Sequence, residues 1–159
     1  MKKNLILKTV LGFLIVTYTI GEMVISRTNP EQKYTGVILD EATDKILKRS
    51  CYDCHSHETV YPWYSRVPVF SFLIGMHVNK AREHLNFSKW DSVKDSKKPK
   101  IWGEILEEIE EGEMPIGNYL WLHPDAKMQE GDLQTIKDSL EAAGITPEKG
   151  HDEDEEHEH

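Results

Sequence analysis

Cys51-Tyr52-Asp53-Cys54-His55 contains both cysteines of a 159-residue chain, two thiols three positions apart with an imidazole on the next residue. Just upstream, Asp40 is a helix-capping residue type and Glu41 complements the dipole of a first turn. Leu47, Cys51 and Cys54 then recur at i, i+4 and i+7, which predicts a helix with both thiols on one stripe. Downstream, Pro62 and Pro68 mark a loop. Phe70, Leu73, His77, Ala81 and His84 predict a second helix with these side chains near one face, over about 69–85. Residues 88–99 are polar and lysine-rich and read as loop. A third helix sets Ile101, Trp102, Ile105, Leu106 and Ile109 against Glu104, Glu107, Glu108 and Glu111 on the opposite side, and Gly112 stops it. Leu133, Ile136, Leu140 and Ala143 signal a last helix closed by Gly144. No alternating run is long enough to argue a sheet, so the expected class is all-α.

C-x-x-C-H is the attachment signature of c-type haem. Two thiols on one helical turn can each add to a porphyrin vinyl group, and the following residue can swing its ring beneath the iron. His55 is then the proximal ligand, a neutral imidazole whose other nitrogen needs a backbone carbonyl or similar acceptor. Three other chemistries compete for the same residues. A thioredoxin-like pair needs a βαβ setting, whereas both flanks here are helical. A disulfide across two residues is strained. A zinc site needs four ligands; Cys51, Cys54, His55 and His57 are available, but no second paired cluster completes the usual pattern.

The sixth iron position decides the function. Met114, 59 residues after His55, stands between the Gly112 stop and Pro115. Pro115 biases it away from helical backbone, a poor place for a core side chain. A thioether there gives a His/Met iron of raised potential suited to electron transfer. The alternative distal ligand is His77, which gives a bis-His iron of lower potential. Arg82 and Lys80 are candidate propionate partners, although a solvated helix face explains them equally well. Tyr61, Trp63, Tyr64, Trp102 and Trp121 are expected in packing around the group and in the core.

The first 26 residues open with Lys2 and Lys3 and run apolar from Leu5 to Ile25, interrupted by Lys8 and Glu22. The 22 residues from Asn4 to Ile25 reach about 33 Å as helix, enough for a hydrocarbon core of roughly 30 Å. No A-x-A-like cleavage pattern follows, so an uncleaved anchor or transmembrane helix is expected, with a cleaved, free periplasmic form as the alternative. By the positive-inside tendency the rest lies on the periplasmic face of the inner membrane. Residues 27–36 read as a tether, 37–144 as the folded domain, and 145–159, ending HDEDEEHEH, as a disordered acidic and histidine-containing tail.

Lys and Arg number 19 against 28 Asp and Glu, and 38% of the chain is apolar. The charge is −9, but six of the acids lie in the last nine residues, so the other 150 carry only −3. Nucleic acid is excluded as a partner class by the lack of a basic stripe. Two cysteines cannot make a disulfide scaffold, and no glycine-rich phosphate loop is present. An acidic exterior instead suits a redox partner with a basic docking patch.

Four stretches taken together, CYDCHSHETVYPWYSRVPVF (51–70), HVNKAREHLNFSKW (77–90), EEGEMP (110–115) and WLHPDAKM (121–128), give the chain a more specific likeness. From about Leu39 to Ala143 it resembles the small haem-binding domain family of membrane-tethered, single-haem c-type proteins. The resemblance implies a cytochrome c-like helical fold around one covalent haem c, with Cys51, Cys54 and His55 as attachment residues. Glu-Met-Pro recurs in that family, which supports Met114. Unlike ordinary small cytochromes c, this chain has no Gly-Pro pair shortly after His55, so Pro62 or Pro68 is expected to fix the proximal ring. The expected role is one-electron carriage without enzymatic turnover. A haem-based sensor, or a weak peroxidase with a labile distal ligand, is the alternative.

Overall fold

Asp40 begins a helix as its residue type predicts: its backbone is extended and its carboxylate accepts the Thr43 amide at 2.8 Å. The computed structural model of the chain describes residues 2–24, 29–30 and 39–148. All regular structure among them is helical, with no strand. In order these are α1 (Lys2–Val24), α2 (Glu41–Ser50), α3 (Tyr52–His55), α4 (Pro68–His84), α5 (Lys98–Glu110), α6 (Gly117–Leu120) and α7 (Asp132–Ala142), with short 3-10 turns between several of them. The helices fall into two units. One comprises residues 1–34 and 53–88, the other 35–52 and 89–159.

In the second unit, α2 and α5 both pack on α7. Leu47, Trp102, Ile136 and Leu140 are fully buried there. Trp90 meets Trp102 edge-on at 5.5 Å between ring centroids, an arrangement aromatic quadrupoles favour. Polar groups specify the α2–α7 contact. Thr43 and Ser139 are buried with their hydroxyls 2.7 Å apart, Ser139 also donates to the Asp40 carboxylate, and Arg49 pairs with Asp132. On α5, a Cβ at Gly103 would collide with the backbone carbonyl of Glu148. The Glu148 amide donates to the Pro99 carbonyl at 3.0 Å. Residues 145–148, assigned to the tail by composition, therefore lie along the start of α5. Residues 149–159 of the expected tail lie outside the described residues, as does all of the expected tether except Asn29 and Pro30.

Several local expectations are corrected. The stripe through Leu47, Cys51 and Cys54 is broken, because α2 ends at Ser50 and Cys51 leaves helical geometry as its cap, at φ −122°. Cys54 belongs to the separate turn α3. The region 88–99 is not plain loop. It contains 3-10 turns at Phe87–Ser92 and Asp95–Lys97, and α5 begins at Lys98, three residues earlier than the apolar period suggests. Pro99 favours that start, since a first-turn residue has no helical use for its N–H.

In the first unit, α4 matches its expected span closely, but its buried residues are Ser71, Gly75 and Val78. Phe70 and Leu73, expected on the packed face, are exposed together with Phe72 and Met76. Trp63, in the 3-10 turn Trp63–Arg66, is 80% exposed, and Trp121 of the second unit is 84% exposed, so neither is part of the protein core. α1 packs against α4, yet nearly every side chain described along it is exposed, including Leu5 at 67% and Phe13 at 68%. The expected membrane-spanning anchor finds no support: among the described residues, no helix is long and apolar enough to cross a membrane.

Candidate functional site

His55 ends α3, and its Nδ1 lies 3.1 Å from the carbonyl oxygen of Leu85. That oxygen can only accept, so Nδ1 carries the ring proton and Nε2 is left with its lone pair. Leu85 is the C-terminal cap of α4 and its backbone is extended, φ −142° and ψ 127°. Its carbonyl is thus one of the helix-end acceptors that no helical N–H satisfies. Burial lowers the His55 pKa from its ordinary value, opposed by hydrogen bonds to the Leu85 and Ala81 carbonyls, while His84 also lowers it. The ring is therefore neutral at neutral pH, the form that ligates a metal. The sequence reading expected a carbonyl behind this ring, but looked to Pro62 or Pro68 to fix it. The end of α4 does so, and a backbone acceptor has no residue signature by which it could be found.

The loop after His55 is tied down by side chains. Asp53 accepts the Val60 amide at 2.9 Å, and the His57 amide donates to Ser88 Oγ at 2.8 Å. The Asn86 side chain lies 2.8 Å from His57 Nε2, so His57 is a buried structural residue. Arg82, on the last turn of α4, bridges three groups. Nε donates to the Ser56 carbonyl at 2.7 Å, and Nη2 to Asn29 Oδ1 and Thr59 Oγ1, each at 2.8 Å. Sequence reasoning offered Arg82 to a propionate or to solvent; the structure uses it as a clamp across residues 56–59. Lys80 is exposed.

Neither cysteine is in a disulfide, and both are partly exposed. Burial pushes the Cys54 thiol up to about 11, helped by the Asp53 carboxylate and opposed by Arg82. A protonated thiol without a neighbouring strand is unlike the depressed-pKa cysteine of a thioredoxin-type centre. Among the described residues no group of three or more His, Cys, Asp or Glu side chains is arranged to hold a metal ion. That disfavours the zinc reading of Cys51, Cys54, His55 and His57. A porphyrin asks for less, since it brings four nitrogens of its own.

Met114 lies in the loop after α5, 37% exposed. The Glu113 and Met114 amides both donate to the Glu108 carbonyl, at 3.0 and 3.1 Å, Gly112 takes φ +74°, and the Met114–Pro115 peptide is cis. The backbone is thus anchored to the end of α5 while the thioether stays out of the core. His77 is half-buried on α4, two turns before His84.

A family model described as a haem-binding domain matches residues 12–142, which include the C-x-x-C-H run, the α4 clamp and the Met114 loop. The chain belongs to the haem-binding domain family. No curated protein and no solved structure matches it. In this haem-binding domain the residues present fit the group. His55 offers a neutral ring with Nε2 available, and two unbridged thiols precede it at the attachment spacing. Ser50 Oγ, beside Cys51, is buried with no hydrogen-bond partner. Such an orphan costs about 1–3 kcal/mol, and a ligand's polar groups are one way to satisfy it.

Proposed function

We propose that this haem-binding protein is a c-type cytochrome: a cytochrome c-like domain with one haem covalently held by Cys51 and Cys54, attached to a membrane through α1. Its task is one-electron transfer on the periplasmic side of the inner membrane. When bound, the haem supplies a ferric/ferrous couple. The chain supplies His55 Nε2 as the proximal ligand, with Leu85 fixing the ring's tautomer and angle and Arg82 holding the following loop. The observation that carries this reading is the Nδ1 contact to Leu85, which leaves the Nε2 lone pair of His55 as the ligating atom. Membrane attachment is supported by α1 itself, 23 residues along which Leu5, Leu7, Leu11, Phe13 and Leu14 are all exposed.

Met114 is the proposed distal ligand. His77 is the weaker choice because it sits on α4, the helix that backs the proximal ring through Leu85. His77 would have to reach the iron from the same helix whose end already holds the His55 ring. Glu104, Glu107, Glu108, Glu110, Glu111 and Glu113 are all exposed along α5 and its exit, leading into Met114. They support docking of a redox partner with a basic patch, weakened by salt.

The deciding experiment is intact-mass analysis of protein exported with the haem-attachment machinery. One haem's mass should be added, resistant to acid extraction and absent from the Cys51→Ser/Cys54→Ser double variant. Unmodified thiols in protein that still binds haem would overturn the covalent reading. The exposure of Met114 favours one second reading, a sensor or weak peroxidase in which the thioether yields to a small ligand. Rapid binding of carbon monoxide by the ferrous wild type would select it.

A further inference from the structure

We propose that the first half of α4 and the adjoining turn at Trp63 form a lipid-seated surface beside α1, so that the domain docks on the bilayer through α4 as well as through its N-terminal helix. This rests on the attachment reading of α1. Phe70, Phe72, Leu73 and Met76 are all exposed on α4, Phe72 at 55%, and Val60, Trp63 and Val67 are exposed just before it. These residues all belong to the unit that contains α1, and α1 packs on α4. The two exposed apolar surfaces thus belong to one pair of packed helices.

Three features select lipid as the occupant. Leu5, Leu7, Leu11, Phe13, Leu14 and Ile15 are all exposed along α1, interrupted by Lys8 and Thr9, and apolar side chains on more than one side of a helix suit a lipid surface better than the single-sided groove of a protein partner. The uncharged run from Val67 to Met76 is ten residues, about 15 Å of helix, too short to span a bilayer but matched to one leaflet's depth. Charge returns on both sides of it, at Arg66 and at Lys80 and Arg82, and Tyr61, Trp63 and Tyr64 gather at one end, as aromatic residues do at a membrane interface. The consequence is positional. Leu85 lies nine residues beyond Met76, about 14 Å along the helix. The proximal face of the site is thereby held close to the membrane, within reach of a redox partner that resides there.

The test uses the full haem-loaded chain in vesicles of phosphatidylethanolamine and phosphatidylglycerol, with a benzophenone amino acid placed singly at Phe72, Met76, Leu11 or Lys80. After irradiation, lipid adducts are read by mass. Adducts at 72 and 76 in yields within a few-fold of those at 11, with none at 80, are expected. Adducts at 11 alone would overturn the α4 surface and leave attachment through α1 standing. No adduct at any position would overturn both. A covalent dimer from position 72 or 76 would assign the face to a second copy of this chain and refute the lipid occupant.

Discussion

Replacing Arg82 by Met keeps an unbranched stem on α4 and removes the guanidinium that ties residues 56–59 and Asn29 to it. Three hydrogen bonds disappear, to the Ser56 carbonyl at 2.7 Å and to Thr59 Oγ1 and Asn29 Oδ1 at 2.8 Å. Bonds from a charged donor contribute about 1.5–3 kcal/mol each. The Ser56 and Thr59 bonds are partly buried and belong near the low end of that range, about 3 kcal/mol together. The exposed Asn29 bond adds little against solvent competition. A loss of about 3 kcal/mol corresponds to a fall in Tm of roughly 12 °C or more for a domain near 100 residues. Denaturant unfolding followed by tryptophan fluorescence and far-UV circular dichroism measures it. Arg82→Lys should recover little, because one ammonium cannot hold three acceptors set at the edges of a planar fork. A double-mutant cycle with Thr59→Val should give a coupling of about 0.5–3 kcal/mol. If Arg82→Met stays within about 0.5 kcal/mol of wild type, as an ordinary surface change does, the clamp is refuted.

Met114→Ala should abolish the long-wavelength ferric band of a sulfur–iron bond and lower the potential, while His77→Ala leaves both intact; the opposite pattern in the two spectra would reverse the ligand assignment. Electron transfer with a basic partner should slow as salt rises, and charge-neutral substitutions at Glu107, Glu111 and Glu113 should flatten that dependence in stopped-flow traces. The Ser139 hydroxyl and then the Thr43 amide hold the Asp40 carboxyl below the usual carboxylate range. Its contribution to stability is therefore complete above about pH 4 and fades as pH falls through the lowered folded value. Asp40→Asn should remove that part of the acid dependence in urea titrations at graded pH. Gly103→Ala forces a methyl into the Glu148 carbonyl, so hydrogen exchange at the Glu148 amide should accelerate while amides of the α2–α7 contact keep their protection.

Long-period features were legible in the sequence and short-range geometry was not. Asp40, Gly112 and Gly144 bound their helices as their residue types predict, with positive φ at both glycines. The Leu133, Ile136 and Leu140 period found α7 because all its apolar burial faces one way. Apolar period misled on α4: Phe70 and Leu73 look like core, yet Ser71 and Gly75 are the buried positions. Small residues permit close approach of a neighbour, and large ones facing outward imitate a packed stripe. Cys51, Cys54, His55 and Met114 are readable as candidate chemical groups, whereas the parts that hold them are mostly backbone. The Leu85 and Glu108 carbonyls belong to no residue type. Arg82 was visible as a charge, but its acceptors, the Ser56 carbonyl and the Thr59 hydroxyl, come together only once the loop folds back on α4.

α4 thereby joins three functions that sequence alone keeps apart. Its end supplies the acceptor that fixes the His55 tautomer, its last turn supplies the Arg82 clamp, and its first half carries the exposed apolar side chains. A helix is stiff over 17 residues, so a displacement of its first half is transmitted to the Leu85 carbonyl. Movement there changes the hydrogen bond to Nδ1, and with it the basicity of the proximal nitrogen. If α4 seats on a membrane as proposed, contact at one end of it and the electronic character of His55 as a ligand at the other would be mechanically coupled. The potential of the haem-loaded chain should accordingly differ between vesicles and detergent in wild type, and this difference should shrink when Phe70 and Phe72 are replaced by Gln, although neither residue is near His55 in sequence.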